Sequence, residues 1–328
     1  MSFQVHAVRR SRRAQQGASA WPLAALLSVA LMPAAQAGDL PRTSGGAETR
    51  AAAATAGKPA PAADHDEVDT EHIFGMTMGS DIGDKGEFEL ELETFSGIGK
   101  RSGYYLTSAT HTHFKYTLTD NLRVAPGFTL GTHNISGVPE LEDRNAIGIH
   151  EASVEIRYKL LDRHVAPFGF TLNFEPIVSR IDDVSGRRIE GYGAVLSALM
   201  DKEWVPNKLF SAFNVGYIVG ASQLRGGNPW SHDSDLMIST AVSYKFFPSV
   251  LFGVEARYLQ AFDGCGLDRQ KGAAFYVGPT FSMTLAKNVG LSGSWNIQAA
   301  GKALDDPRAL DLSNFERHQA LLRLTAHF

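Results

Sequence analysis

The sequence predicts an all-β chain, a transmembrane antiparallel up-and-down β-barrel of about twelve strands. Three observations lead there. Apolar and polar side chains alternate with a period of two from about Gly86 to Phe328. The alternating segments are joined by connections that are short and long in turn. After the first 37 residues no run of roughly 18 apolar residues occurs, so no helix is available to cross a bilayer.

The N-terminus reads as a targeting segment. Arg9, Arg10, Arg12 and Arg13 form a positive region, and residues 21–32 are an apolar stretch shorter than the roughly 20 residues of a spanning helix. Ala35-Gln36-Ala37 is a small-x-small cleavage box. Residues 1–37 are therefore expected to be a signal peptide cut after Ala37, with an uncleaved anchor helix as the alternative. Residues 38–71 are rich in Ala, Gly, Pro, Thr and Asp and show no period, which predicts a flexible periplasmic leader. Residues 72–328 are assigned to the barrel, and export of a barrel points to the outer membrane of a Gram-negative bacterium. The net charge of −4 argues against nucleic acid as a partner. The single cysteine, Cys265, has no internal disulfide partner and reads as a loop thiol.

Successive side chains of a strand point to opposite faces, so each segment presents one oily and one wet face. In chain order, Phe88, Leu90 and Leu92 oppose Glu87, Glu89, Glu91 and Glu93; Leu106, Phe114, Tyr116 and Leu118 oppose His111, His113 and Lys115. Val124, Phe128 and Leu130 oppose Arg123, Thr129 and His133; Val154, Ile156, Tyr158 and Leu160 oppose Glu151, Glu155, Arg157 and Lys159. Phe170, Leu172 and Phe174 oppose Thr171, Asn173 and Glu175. Residues 188–204 and 208–222 are Gly- and Ala-rich and alternate less cleanly. Ile238, Val242 and Tyr244 oppose Ser239, Ser243 and Lys245; Phe252, Val254 and Tyr258 oppose Gly253, Glu255 and Arg257. Phe281, Met283 and Leu285 oppose Thr280, Ser282 and Thr284; Leu291, Trp295 and Ile297 oppose Ser292, Ser294, Asn296 and Gln298. Leu322, Leu324 and Ala326 oppose Arg323, Thr325 and His327.

Short turns are expected at Asp120-Asn121, Asp162-Arg163, Pro206-Asn207, Pro248-Ser249 and Lys287-Asn288, where Asn, Asp and Pro favour tight reversal. Longer, polar loops are expected over 135–146, 225–234, 264–271 and 302–313. Tyr116, Tyr158, Phe168, Trp204, Tyr244, Phe246 and Phe252 flank the short turns, as an interfacial aromatic girdle does. A secreted soluble barrel with its oily face inward is the competing fold; twelve strands enclose a lumen too wide for those side chains to fill.

Residues 74–91, FGMTMGSDIGDKGEFELE, and the ending from Leu310, LDLSNFERHQALLRLTAHF, resemble uncharacterised outer-membrane β-barrel proteins of proteobacteria. The resemblance implies fold and location and brings no activity. The chain ends on Phe328, similar to the C-terminal aromatic through which the barrel assembly machinery receives its clients, although Ala326 and Leu324 stand at the upstream aromatic positions.

Chemistry is expected in the lumen. Closing the barrel places the Glu87, Glu89, Glu91, Glu93 row between His111, His113 and Lys115 on one side and Arg317, Arg323 and His327 on the other. Flanking cations relieve a carboxylate row. Arg123, Glu151, Glu155, Arg157 and Lys159 extend the charged lining, as do Glu255 and Arg257. This ladder reads either as strand pairing and lumen solvation or as a charge-lined constriction for ionic solutes. The corresponding roles are a small-solute channel, a plugged structural or assembly-partner barrel, or a lipid-modifying hydrolase. For the hydrolase, His150, His318 and the nearby Glu316 are the candidates, with no serine beside them. No metal or cofactor is expected: His111 and His113 supply two ligands where three or four are usual. Asp81, Asp84 and Glu87 lack a calcium-loop pattern and read as a turn into the first strand. The expected partners are outer-membrane lipids and lipopolysaccharide.

Overall fold

The computed structural model describes residues 68–328 apart from Asn228; the expected signal peptide and residues 38–67 of the expected leader lie outside the described residues. Twelve strands form, as the alternation predicts. They are β1 (Phe88–Ile98), β2 (Tyr104–Thr119), β3 (Leu122–Ser136), β4 (Arg144–Leu161), β5 (Gly169–Ile181) and β6 (Arg188–Val205), then β7 (Leu209–Leu224), β8 (Ser231–Phe247), β9 (Val250–Asp263), β10 (Arg269–Ala286), β11 (Val289–Ala303) and β12 (His318–His327). Each pairs antiparallel with its neighbours in sequence, and β1 pairs with β12, so the sheet closes and has no free edge.

The outer wall is oily on every side. Leu92, Phe114, Phe128, Leu172, Phe213, Val254, Val277 and Leu322 are exposed, a continuous apolar surface that a water-soluble monomer does not carry. Tyr116, Tyr158, Trp204, Phe246 and Phe252 are exposed at the short-turn end, and Tyr104, Tyr192, Trp230 and Trp295 form a second aromatic ring at the other. Two girdles bounding an apolar band are the signature of a barrel in a bilayer. The soluble alternative, oily face inward, is thereby overturned.

The connections alternate as expected with one exception. Asp120-Asn121, Pro248-Ser249 and Lys287-Asn288 are tight turns, whereas the β4–β5 connection runs over 162–168. Its length lets the Arg163 side chain reach into the barrel mouth. A second departure lies in β4. Thr129 pairs with Glu151 but Leu130 pairs with Ile149, so His150 is the extra residue of a β-bulge. The bulge reverses the inward–outward phase of β4: Val154 faces out below it and Ile149 and Ile147 above it.

The largest departure concerns residues 68–82. Thr70 and Glu71, read from sequence as leader, lie with Ile73–Ser80 inside the barrel, and residues 70–80 are all buried, while Val68 and Asp69 sit at its mouth. The segment enters at the short-turn end, where Arg163 donates to the Val68 carbonyl at 2.7 Å. It doubles back, with Gly79 N donating to Glu71 O at 3.2 Å, and leaves through Ile82 toward β1. Its fit is close. A Cβ on Gly75 (φ +81°) would lie within 3 Å of Thr280, Glu255 and Ser294, and one on Gly79 would lie 2.2 Å from the Thr70 carbonyl oxygen.

The lumen wall has two halves, which explains the blurred alternation of β6 and β7. Inward residues of β1–β4 are mostly charged, whereas β6–β10 turn Leu199, Phe210, Met237, Leu251, Leu259 and Tyr276 inward. Ile73 and Phe74 pack on Phe210, Ala212, Ala241 and Leu251. Met78 packs on Leu199, Met237, Leu259 and Tyr276, and Phe315, from the long β11–β12 loop, joins the same cluster. The expectation that every oily side chain points into lipid is corrected: part of them line the lumen and seat the plug.

Candidate functional site

The site is the charged half of the lumen with the plug docked on it. In β1, register sets Glu89 opposite Lys115, Glu91 opposite His113 and Glu93 opposite His111 on β2. On the other side Glu93 stands opposite Arg323 of β12 and Glu89 opposite His327. The register thus places Glu89, Glu91 and Glu93 between His111, His113 and Lys115 on one side and Arg323 and His327 on the other. Lys115 Nζ donates to Glu89 at 3.0 Å and to Glu91 at 2.9 Å. Arg323 Nε donates to Glu93 at 2.9 Å and lies 3.4 Å from Glu91. His113 meets Glu91 at 3.4 Å and Glu175 at 3.6 Å, while His327 meets Glu87 at 2.5 Å.

Glu71 of the plug completes the cluster. It accepts from Lys115 at 2.9 Å, from Arg157 at 2.8 Å and from Arg123 through both carboxylate oxygens. Arg123 and Arg157 also hold Glu155, at 3.0 and 2.8 Å. Five carboxylates (Glu71, Glu89, Glu91, Glu93, Glu155) thus meet four permanent cations (Lys115, Arg123, Arg157, Arg323), all buried. Isolated charges could not remain ionised in such a place; mutual pairing is what makes it tolerable.

The other half of the plug is held by polar wall residues. Glu255 accepts from Met76 N at 3.1 Å, Thr77 N at 2.9 Å and Thr77 Oγ1 at 3.1 Å, and is oriented by Asn296 at 2.6 Å. Asn214 accepts from Met78 N at 2.7 Å and donates to Met78 O at 2.9 Å. Ser243 donates to Ile73 O at 2.6 Å and Thr117 to Ile82 O at 2.7 Å. At the mouth, Arg163 binds Asp81 and donates to Thr70 Oγ1 at 3.0 Å, while Asp201 accepts from Thr70 and Ser80. Arg257 is buried beside the Met76 sulfur and donates to Gln319 at 2.8 Å.

Several expected site residues lie elsewhere. Arg317 is exposed: it precedes β12, its main chain bonds Gly99 and Gln298 at the rim, and its side chain leaves the lumen. Lys159 sits at the mouth, 3.4 Å from Asp162. Glu151 is buried away from the cluster, accepting from Thr129 at 3.1 Å. His150 does not face lipid: the bulge buries it, with Nδ1 2.9 Å from Asp183 and its ring 4.9 Å from that of His133. Glu316 is buried and paired with Lys100 at 2.9 Å, while His318 lies outward against Trp295. The three candidates for lipid hydrolysis do not converge. Glu71, His72, Arg163, Asp201 and Asn214 are site residues that sequence reasoning missed. Phe74, Met76 and Met78, apolar at every second position just before β1, were the available signal.

Glu71, His72 and Glu91 place ligand atoms within 4.8 Å of one another, a geometry able to hold a metal ion. Lys115 Nζ already occupies the centre, 2.9 Å from each of Glu71, His72 and Glu91. The ammonium group supplies the positive charge a metal would bring, so the donor set fits no additional cation. His111 and His113 do not form a pair of ligands: His111 bonds Thr129 at 2.7 Å while His113 turns to the two glutamates.

Fold and site together define a closed twelve-stranded transmembrane barrel with the segment just before β1 packed in its lumen. The chain belongs to DUF6662, a family of unknown function, whose family model matches residues 66–328. No curated protein matches the sequence. Among solved structures it is similar to an outer membrane channel from Pseudomonas putida F1, with 14% identity and TM-score 0.48 over 76% of this chain and 97% of that one. It is also similar to the β-domain of the Bordetella autotransporter BrkA (13%, TM-score 0.47, 74% and 100%) and to LpxR from Salmonella typhimurium (11%, TM-score 0.42, 73% and 100%). At these identities the likeness is one of barrel fold alone.

Proposed function

We propose that this protein is exported in a Gram-negative bacterium, is cut after Ala37, and stands in the outer membrane as a barrel kept shut by residues 70–82. The observation that carries the reading is Glu71, a fully buried carboxylate of the plug gripped by Lys115, Arg123 and Arg157. A lumen stoppered in this way does not pass solutes by diffusion. The barrel then serves as an anchor for a periplasmic partner, engaged through the expected leader. The closing strand, ending on Phe328, is the element the assembly machinery would engage.

A gated channel for small charged solutes is the second reading. One observation favours it: on β1–β4 the grip is made of hydrogen bonds and ion pairs, which water can replace when the segment withdraws, whereas a dry apolar core would not reopen. Solute uptake by proteoliposomes tests both. The intact barrel should leave liposomes impermeable to small sugars and amino acids, and a variant lacking residues 68–82 should make them leaky. Swelling as fast with the intact chain as with the shortened one would rule out the plugged barrel. A tight barrel in both forms would remove the gated channel and leave the anchor.

A further inference from the structure

We infer that the outer wall of β5–β7, at the long-loop end, binds the phosphorylated headgroup of lipopolysaccharide. The inference rests on the reading that the long loops face the cell exterior. Arg180 ends the lipid-facing row of β5 above Val178, and Arg188 begins the lipid-facing row of β6 above Tyr192. Both are exposed, and Ile181 is the register partner of Arg188, so the two arginines come from adjoining positions on neighbouring strands. Arg225, also exposed, is tied alongside by its main-chain N–H, which donates to Arg188 O at 3.2 Å.

Among the described residues no carboxylate is paired with these three guanidinium groups. Glu190, on the same face, accepts instead from Gln223 at 3.0 Å. Arg144, on the adjoining β4, is already paired with Glu142 and takes no part. Below the arginines the wall is oily: Val178 and Tyr192 are exposed, and Tyr192 stacks on Trp230 with ring centres 6.0 Å apart. Beside them, level with the end of β5, Ile149 of β4 is 62% exposed.

Unpaired arginines above an apolar and aromatic shelf match one kind of ligand, an amphiphile with anionic phosphate at the membrane surface and acyl chains beneath it. Guanidinium binds phosphate through paired N–H donors, which a lysine does not reproduce. Location selects the source, because the phosphate-bearing lipid of the outer leaflet is lipopolysaccharide.

The test uses the full mature chain in detergent, titrated with lipid A, dephosphorylated lipid A and phosphatidylglycerol and read by native mass spectrometry. The protein should bind lipid A at least about tenfold more tightly than either comparison lipid. The R180Q/R188Q/R225Q variant should lose that preference while keeping the heat-modifiable gel mobility of a folded barrel. Equal lipid A binding by parent and variant, or equal affinity for phosphatidylglycerol, overturns the assignment. Labelling of Cys265, in the β9–β10 loop, on intact cells by an impermeant maleimide reports separately whether the long loops are outside.

Discussion

Arg323 and Arg317 are equivalent in sequence, two arginines of one parity near the end of the chain, and the structure separates them. Arg323 is buried between Glu93 and Glu91, so replacing it by Leu removes a buried cation that both carboxylates face, while Lys115 still holds Glu91. Breaking a buried pair from one side costs about 3–5 kcal/mol. R323L should therefore lower the unfolding temperature in detergent measurably. Arg317 is exposed, and R317L should stay within about 0.5 kcal/mol of the parent. Equal effects of the two would contradict the placement of the ladder. The carboxylate row itself was legible, because glutamates at every second position demand cations on both neighbours, and barrel closure puts the cations of β2 and β12 beside β1. His150 was not legible: a bulge adds one residue without any mark in composition and inverts the face of the residues beyond it.

At the scale of elements, the plug and the loop over 182–187 are the parts whose stability is separable from the barrel. Glu71→Gln removes the carboxylate on which Lys115, Arg123 and Arg157 converge, while the wall ladders of β1, β2 and β12 keep their own pairs. E71Q should leave heat-modifiable mobility intact but make residues 68–82 accessible to added protease. Unchanged resistance would show that the ion pairs do not hold the plug. In the 182–187 loop, burial and the neighbouring Asp182 raise the Asp183 carboxyl to about 8. The folded loop then holds a proton that the opened loop releases near the ordinary carboxylate range. Its stability falls as pH rises from that range to about 8. Hydrogen exchange across the loop, corrected for intrinsic rates, should be faster at pH 9 than at pH 6, and the reverse order would contradict the buried acid. Strand bounds were readable from period two, and short turns from Asn, Asp and Pro. The plug was not, because it forms no regular ladder: its hydrogen bonds go to side chains of distant strands, and no local pattern encodes such partners.

For the whole molecule, the two-sided wall is the main finding. One half of the lumen is charged and the other apolar, and a single segment bearing Glu71 with Phe74, Met76 and Met78 satisfies both. That complementarity seats the plug on both halves of the wall, which predicts a closed resting state. The direct test is thiol labelling of T77C in proteoliposomes. Thr77 is fully buried, its hydroxyl bonded to Glu255 at 3.1 Å, while native Cys265 is exposed and serves as the internal control. A closed lumen predicts that a membrane-impermeant maleimide adds once per chain, at Cys265, until the barrel is unfolded. Rapid addition of a second maleimide to the folded T77C protein would contradict the plug.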